Sequence, residues 1–419
     1  MLYEFIDRSR VHFLDSDDGI AQNALGPLLD VIGDARVVAV GEGAHFVAEY
    51  GQSRRRIVEL LHQQAGFQVM AMEFGIGEGL ALLPWLNGAG AEEDLAAVSP
   101  AAAQWGAGDT MRWLRRYNTT AAGRGDSPLT FAGIDLPNAG GSFAPALDPL
   151  ESYISAQDPA LAPTLDSVRA ITDRIDGGSA LVAAQAWSQL EPADRDVAVA
   201  GLARIALRTA ALQPHREPSE PGFAHHTCSL LAQSALTTAY MLQAAADVVS
   251  GASMELDASV RDLFMAQAVL TMTQEFDDKV VVLAHNNHVQ KTPVVFGGRT
   301  YALPMGSYLA RWLGGDYRVV AQTTTADHVP DMLLDSASPV GFRVADVDLP
   351  SPAVGTFEGA LIAAGTSQRP SLTDTRPGRG MPTLLGIRSQ AAIVDTDVSA
   401  AFDAVLNHPR VTKQADLGF

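Results

Sequence analysis

Five stretches of this chain are apolar almost without interruption and rich in β-branched residues. They are "ARVVAVGE" (35–42), "FQVMAMEFG" (67–75), "LTFAGIDL" (129–136), "DKVVVLAHNNH" (278–288) and "YRVVAQTT" (317–324). A strand with one wet face alternates apolar and polar residues. A run without alternation is buried on both faces, which is the pattern of a parallel sheet covered by helices on either side. Helical patterns fill the gaps: "FVAEYGQSRRRIVELLHQQ" (46–64) follows the first run and "DTMRWLRRYNTTAAG" (109–123) precedes the third. The alternation predicts an α/β fold, a mostly parallel central sheet flanked by helices and joined by right-handed crossovers.

The middle of the chain differs. From 149 to 276 strand patterns vanish and Ala, Leu, Gln and Arg dominate. This predicts a large helical insertion, interrupted by a proline-rich, charged loop at "QPHREPSEPGFAHH" (213–226). The expected division is an α/β catalytic core from 1–148 and 277–419, with 149–276 packed on it as one wall of a cleft and setting substrate choice. From about Asp327 onward scattered Pro, Gly and Ser predict a less regular region.

Of the 419 residues 47% are apolar and 18% charged, enough to bury a sizeable core, so wholesale disorder is excluded. The net charge of −19 repels phosphate backbones and anionic headgroups, so neither nucleic acid nor membrane is an expected partner. The single cysteine, Cys228, forbids an intrachain disulfide or a thiolate cluster and fits a reducing compartment. The first nineteen residues carry acids and no basic-then-apolar leader, and no run reaches the ~18 apolar residues of a membrane helix. The expectation is a cytoplasmic monomer or homodimer acting on a small molecule.

In an open parallel sheet, ligands bind beyond the carboxyl ends of the strands. The first run ends in Glu42 and His45, the second in Glu73, the third in Asp135, and the fourth in His285 and His288. Four strand ends thus bring titratable groups to one edge, a convergence that marks a site where any single residue does not. No Gly-x-Ser-x-Gly elbow is present, and "GIGEG" (75–79) lacks the lysine and spacing of a phosphate loop. Cys228, in "HHTCS", lies inside the helical middle, away from these ends. Histidines and carboxylates without a covalent nucleophile suit activation of a water, or proton abstraction, by a general base. Glu42, Glu73, His45 and the "HNNH" pair also offer the donor types of a zinc site, so a metal remains a competing reading at this point.

"GEGAHF", "AMEFG", "RWLRRYN", "FAGIDL", "LAHNNHV" and "PMGSYLARWLGGDY", in this order over about residues 30 to 325, resemble the erythromycin esterase family. "VRDLFMAQ" (260–267) resembles that family's arginine-bearing helix before the histidine strand. The resemblance implies an α/β core with helical embellishment, of the layout of the EreA/ChaN-like group. It implies hydrolysis of a macrolactone ester by a histidine-activated water, with no metal and no cofactor. It assigns Glu42 and His45 to the family's Glu-x-x-His, Arg54 to the helix arginine, Glu73 to the second-strand glutamate, and His285 with His288 to the histidine pair. His45 would be the general base, oriented by Glu42 or Glu73, with Arg54 and His285 steadying the oxyanion. Ala44 and Phe46 stand where many relatives have a small hydroxyl residue and a glycine. Phe46 and Phe74, with Asp135, are the candidates for contact with a large, mostly apolar substrate, macrolide or polyketide-like. A biosynthetic enzyme using the same acid–base set, such as a cyclase, dehydratase or acyl-transfer catalyst, is the alternative.

Overall fold

The computed structural model describes residues 11–14, 26–175, 177–212, 223–253, 258–275, 279–380, 384–415 and 417. The N-terminal reading and most of the 213–226 loop reading fall outside these residues. Among the described residues the strands are β1 (Val11–Phe13), β2 (Val37–Val40), β3 (Phe67–Gly75), β4 (Thr130–Asp135), β5 (Lys279–Leu283), β6 (Val294–Phe296), β7 (Arg299–Ala302), β8 (Tyr317–Thr324), β9 (His328–Leu334), β10 (Phe342–Asp348), β11 (Ser371–Asp374), β12 (Ile387–Ser389), β13 (Ala392–Val394) and β14 (Ala404–His408). Eight of them form one sheet in the order β1-β11-β14-β8-β2-β5-β3-β4. Every pair from β14 to β4 is parallel, and β11 and β1 add an antiparallel edge. The fold is therefore the expected α/β architecture.

Alternation along the strands explains why these runs are apolar throughout. Val37, Ala39, Val69, Ala71, Val280 and Val282 enter one apolar cluster, and Val38, Val40, Met70, Val281 and Leu283 enter another on the opposite face. The central β2 and β5 side chains are 1% exposed or less, apart from the partly buried Lys279 at the start of β5. Each such valine or leucine contributes about 1.5–3 kcal/mol relative to exposure.

Helices α1 (Ala48–Ala65) and α3 (Gly108–Arg124) follow and precede the strands as the pattern predicted, and α2 (Ile76–Leu86), which the sequence reading did not name, follows β3. α1 buries Arg54, Ile57, Val58 and Leu61, one helical face, and stops at Gly66, whose φ of 73° is the left-handed cap that glycine adopts without strain. The helical middle runs through α4 (Ala144–Gln157), α5 (Ala162–Thr172), α6 (Ala180–Ser188), α7 (Pro192–Leu212), α8 (Phe223–Val249) and α9 (Ser259–Glu275). Pro149 lies within α4, so the helical run begins a few residues earlier than 149. Leu165, Trp187, Leu202 and Leu231 share one cluster with the sheet, so these helices are continuous with the core. No helix among the described residues is long and apolar enough to cross a membrane.

Two readings are corrected. The fourth run ends as a strand at Leu283; the rest is a one-turn helix, α10 (Asn286–Val289), capped by His285, whose Nδ1 accepts from the Asn287 N–H. The region after Asp327 is more regular than expected, supplying β11 and β14 to the sheet and two hairpins, β9–β10 and β12–β13.

Candidate active site

Register sets the geometry. Val40 pairs with Leu283, and Met72 pairs with Leu283 on its other side. The three chains leave the sheet together, so Glu42, Glu73 and His285 emerge side by side. Backbone bonds continue past the strand ends: Glu42 N–H to Ala284 O at 3.2 Å and Asn286 N–H to Glu42 O at 2.8 Å. The β3–β4 register shifts between Met72 and Gly75, an irregularity at the level of Glu73.

The glycines on either side of Glu42 have a steric reason. A Cβ at Gly41 would lie 2.0 Å from Asn286 Oδ1, and one at Gly43 would lie 2.7 Å from the Gln322 carbonyl. The turn is held from the far end of the chain, where Gln390 in the β12–β13 hairpin accepts the His45 N–H on its side chain and donates its own N–H to Gly43 O, both at 2.6 Å. Phe46 follows at φ 64°, a conformation a bulky side chain rarely takes. Such strain persists where surrounding contacts fix it.

His45 Nδ1 lies 2.8 Å from Glu42 Oε1, and Arg54 Nη1 donates to Glu42 Oε2 at 2.7 Å. Arg54 also donates to the Ala284 carbonyl, so its guanidinium holds Glu42 rather than facing the cavity freely. Burial disfavours the Glu42 carboxylate, but Arg54 and the bond to His45 outweigh it and keep Glu42 ionised, below the usual range. Burial also disfavours a charged His45; the bond and charge of Glu42, with Glu73 behind, overcome this and hold His45 above the ordinary histidine value. With Nδ1 donating to Glu42, the lone pair sits on Nε2. The His45 side chain is 29% exposed and lines the cavity.

The other two histidines are set apart by their surroundings. Burial, then the neighbouring His45, pushes His285 down to about 3, so its ring is neutral. Its Nδ1 accepts from Asn287, which leaves the proton on Nε2, and that nitrogen is buried without a hydrogen-bond partner among the described residues. The His45 and His285 ring centroids are 4.8 Å apart. His288 is the reverse. Its Nδ1 is 2.8 Å from Asp262 Oδ1 and its Nε2 is 3.3 Å from Glu73 Oε1. Burial opposes its charge, but the two carboxylates raise it to about 10, so it is a fixed imidazolium.

Glu73 is fully engaged. It accepts the His285 N–H on Oε2 at 2.8 Å, and Arg261 Nη2 on Oε1 at 3.2 Å beside His288. Against the cost of burial, His288 first, then His45 and Arg261, hold its carboxyl well below the usual range. Asp135 is 1% exposed and spends its oxygens on Arg261 and on the Leu136 N–H, so it anchors Arg261 at the cavity wall. Phe46 and Phe74 both line the cavity, and Phe74 packs against Phe131 with centroids 6.0 Å apart.

The cavity itself is about 270 Å³. Beyond the sequence-predicted residues its wall includes Trp105, Thr110, Glu78, Arg261, Met332 and Gln414. Among the described residues, Arg261 is the one lining residue that comes from 149–276. Arg261 and Asp262 were not assigned as site residues from the sequence. The signal available was a charged pair near the start of a largely apolar stretch, "VRDLFMAQ". Among the described residues no three or more His, Cys, Asp or Glu side chains are placed to hold one metal ion together. The local reason is that both His288 nitrogens face carboxylates and the Nδ1 atoms of His45 and His285 are already engaged.

The erythromycin esterase family model matches residues 62–411. Erythromycin esterase type I of Escherichia coli is 34% identical over 383 residues, covering 90% of this chain and 91% of that protein. Erythromycin esterase type II of Escherichia coli is 29% identical over 388 residues, covering 90% of each. The solved structure of a mutant of the erythromycin esterase EreC in its open conformation superposes with a TM-score of 0.88 at 31% identity, covering 97% of this chain and 99% of that one. With its sheet order, its strand-end acid–histidine cluster and these likenesses in agreement, the chain belongs to the erythromycin esterase family and is a carboxylic ester hydrolase of that type.

Proposed function

We propose that the chain opens a macrolactone, or a related cyclic ester of polyketide type, by attack of a water that His45 deprotonates. The observation that carries this reading is the Arg54–Glu42–His45 chain of 2.7 and 2.8 Å contacts, which fixes the His45 tautomer and leaves the lone pair of this cavity-lining ring on Nε2. A base held this way has its lone pair aimed and its charged form stabilised once the proton arrives.

In the proposed reaction the water oxygen bonds to the ester carbonyl carbon while its proton passes to His45 Nε2. The negative charge grows on the former carbonyl oxygen. His285, neutral and with its proton on an unpartnered Nε2 beside His45, is the group proposed to steady that charge, from just behind the cavity wall rather than from its lining. The carbon–oxygen bond of the ring then breaks, and the leaving alkoxide takes the proton from His45. The product is a ring-opened hydroxy acid, one water heavier than the lactone. Glu73, His288, Arg261 and Asp135 form a charge-matched frame that positions His285 through its N–H. Phe46 and Phe74 supply apolar wall for the macrocycle.

The test is incubation of the purified protein with a panel of macrocyclic lactones and short-chain acyl esters, read by mass spectrometry. Ring-opened product at a gain of one water from a macrocycle supports the reading. Turnover restricted to small esters, or loss of water from the macrocycle, contradicts it.

A further inference from the structure

Glu78 stands apart from the other acids of the cavity. Glu42 has Arg54, Glu73 has Arg261 and His288, and Asp135 has Arg261. Glu78 has no cationic partner among the described residues. It lies in the first turn of α2, lines the same cavity, and is only 8% exposed. Its Oε1 accepts the Asn138 N–H at 2.6 Å, while Oε2 is buried without a hydrogen-bond partner among the described residues. The carboxyl is seated where position 75 has no side chain: a Cβ on Gly75 would lie 2.1 Å from Oε2. A carboxyl seated in the wall of a ligand cavity, with one oxygen bonded and the other buried and unpaired, is unusual for a purely structural group, because a buried unpaired acceptor is costly.

We propose that Glu78 is a subsite for a cationic amine carried by the substrate, which docks on Oε2 and supplies the positive charge the protein withholds there. The proposal rests on the reading of this cavity as the site for a large ester, and it names a feature of that ester: a protonated amino group set away from the scissile carbonyl. Burial, with a lesser push from the charge of Asp135, raises the Glu78 carboxyl to about 7 against the backbone N–H groups of Asn138 and of Glu78 itself. An approaching ammonium favours the ionised form, so binding the amine and ionising Glu78 reinforce each other. The alternative is that Glu78 only serves the N-terminus of α2, where an acid is favourable in any protein.

The two are separated by binding rather than turnover. Isothermal titration at pH 8 uses a His45→Ala background, with and without Glu78→Gln. The ligands are a macrocyclic lactone bearing a dialkylamino group and the N-oxide of the same lactone, which has no net charge. Glu78→Gln keeps the size of the side chain and an acceptor for Asn138. The expected result is a loss of roughly tenfold or more in affinity for the amine, with the N-oxide unchanged, since a buried charge-assisted bond is at stake. Equal weakening of both ligands, no change for either, or no binding of either to the Glu78→Gln protein would overturn the subsite. Hydrolysis of the two lactones by the wild-type protein is scored separately. It reports on the esterase reading and leaves the binding comparison intact.

Discussion

Glu42→Gln is the perturbation that probes the proposed base most sharply. Glu42 bonds His45 on one oxygen and Arg54 on the other, at 2.8 and 2.7 Å. Glutamine preserves shape but carries one amide nitrogen. If its oxygen keeps His45, its NH₂ meets the Arg54 guanidinium; if it turns, two donors face each other at His45. Arg54, with a side chain 8% exposed, then loses its counter-charge, a loss of about 3–5 kcal/mol for a buried ion left unpaired. A fall in thermal stability is therefore expected. The catalytic effect follows from the sign of the His45 shift. The base acts only when neutral, and Glu42 holds its titration above 6.5, so kcat/KM in the wild type rises with pH through a midpoint above that value. Without the Glu42 charge the midpoint moves to lower pH, while the plateau drops by roughly 10²–10⁴-fold because the tautomer is no longer fixed. The assay is the pH profile of kcat/KM for a macrocyclic lactone, with circular dichroism confirming the fold. An unshifted rising limb at an unchanged plateau would refute the reasoning.

The remaining expectations concern the frame of the site. His288 binds its proton far more tightly folded, at about 10 against 6.5, so its contribution to stability is full below pH 6.5 and is lost as pH rises through about 10. Urea unfolding should show that loss in the wild type and a smaller one in His288→Gln, and parallel curves would argue against a fixed imidazolium. Gly41→Ala places a Cβ 2.0 Å from Asn286 Oδ1, so a loss of about 1–3 kcal/mol in unfolding free energy is expected, and a neutral result would mean the turn relaxes freely. Activity is expected to survive exhaustive chelation because both His288 nitrogens face carboxylates and the Nδ1 atoms of His45 and His285 are engaged, which leaves no converging set of ligands among the described residues. Stoichiometric zinc restoring a chelator-inactivated enzyme would contradict that.

Much of the sheet was readable because its central strands are buried on both faces. Burial removes the polar alternation that would otherwise blur strand and helix, and β2, β3, β4, β5 and β8 all fall within the predicted runs. The short outer strands were not readable. β11, "SLTD", is polar at three of its four positions, yet all four of its residues are buried between β1 and β14. β9 carries Pro330 and alternates only partly. Glu42, His45, Glu73 and His285 could be placed beside one another from the sequence because strand ends in a parallel sheet share an edge. Their division of labour was not legible, since it depends on which nitrogen meets which oxygen across chains more than two hundred residues apart. Arg261, Asp262 and Glu78 sit on helices, where a charge in sequence looks like a solvated face, and Gln390 reaches the site from a hairpin 345 residues after His45.

The central claim is that His45 delivers a water to the carbonyl carbon of a macrocyclic ester. It is tested most directly by single-turnover hydrolysis in ¹⁸O-labelled water, comparing the wild type with His45→Ala. The account predicts one ¹⁸O in the carboxylate of the ring-opened product, none in the released hydroxyl, and a rate lowered by roughly 10²–10⁴-fold in the folded variant. Label in the hydroxyl, or a His45→Ala protein that turns over at the wild-type rate, would contradict it.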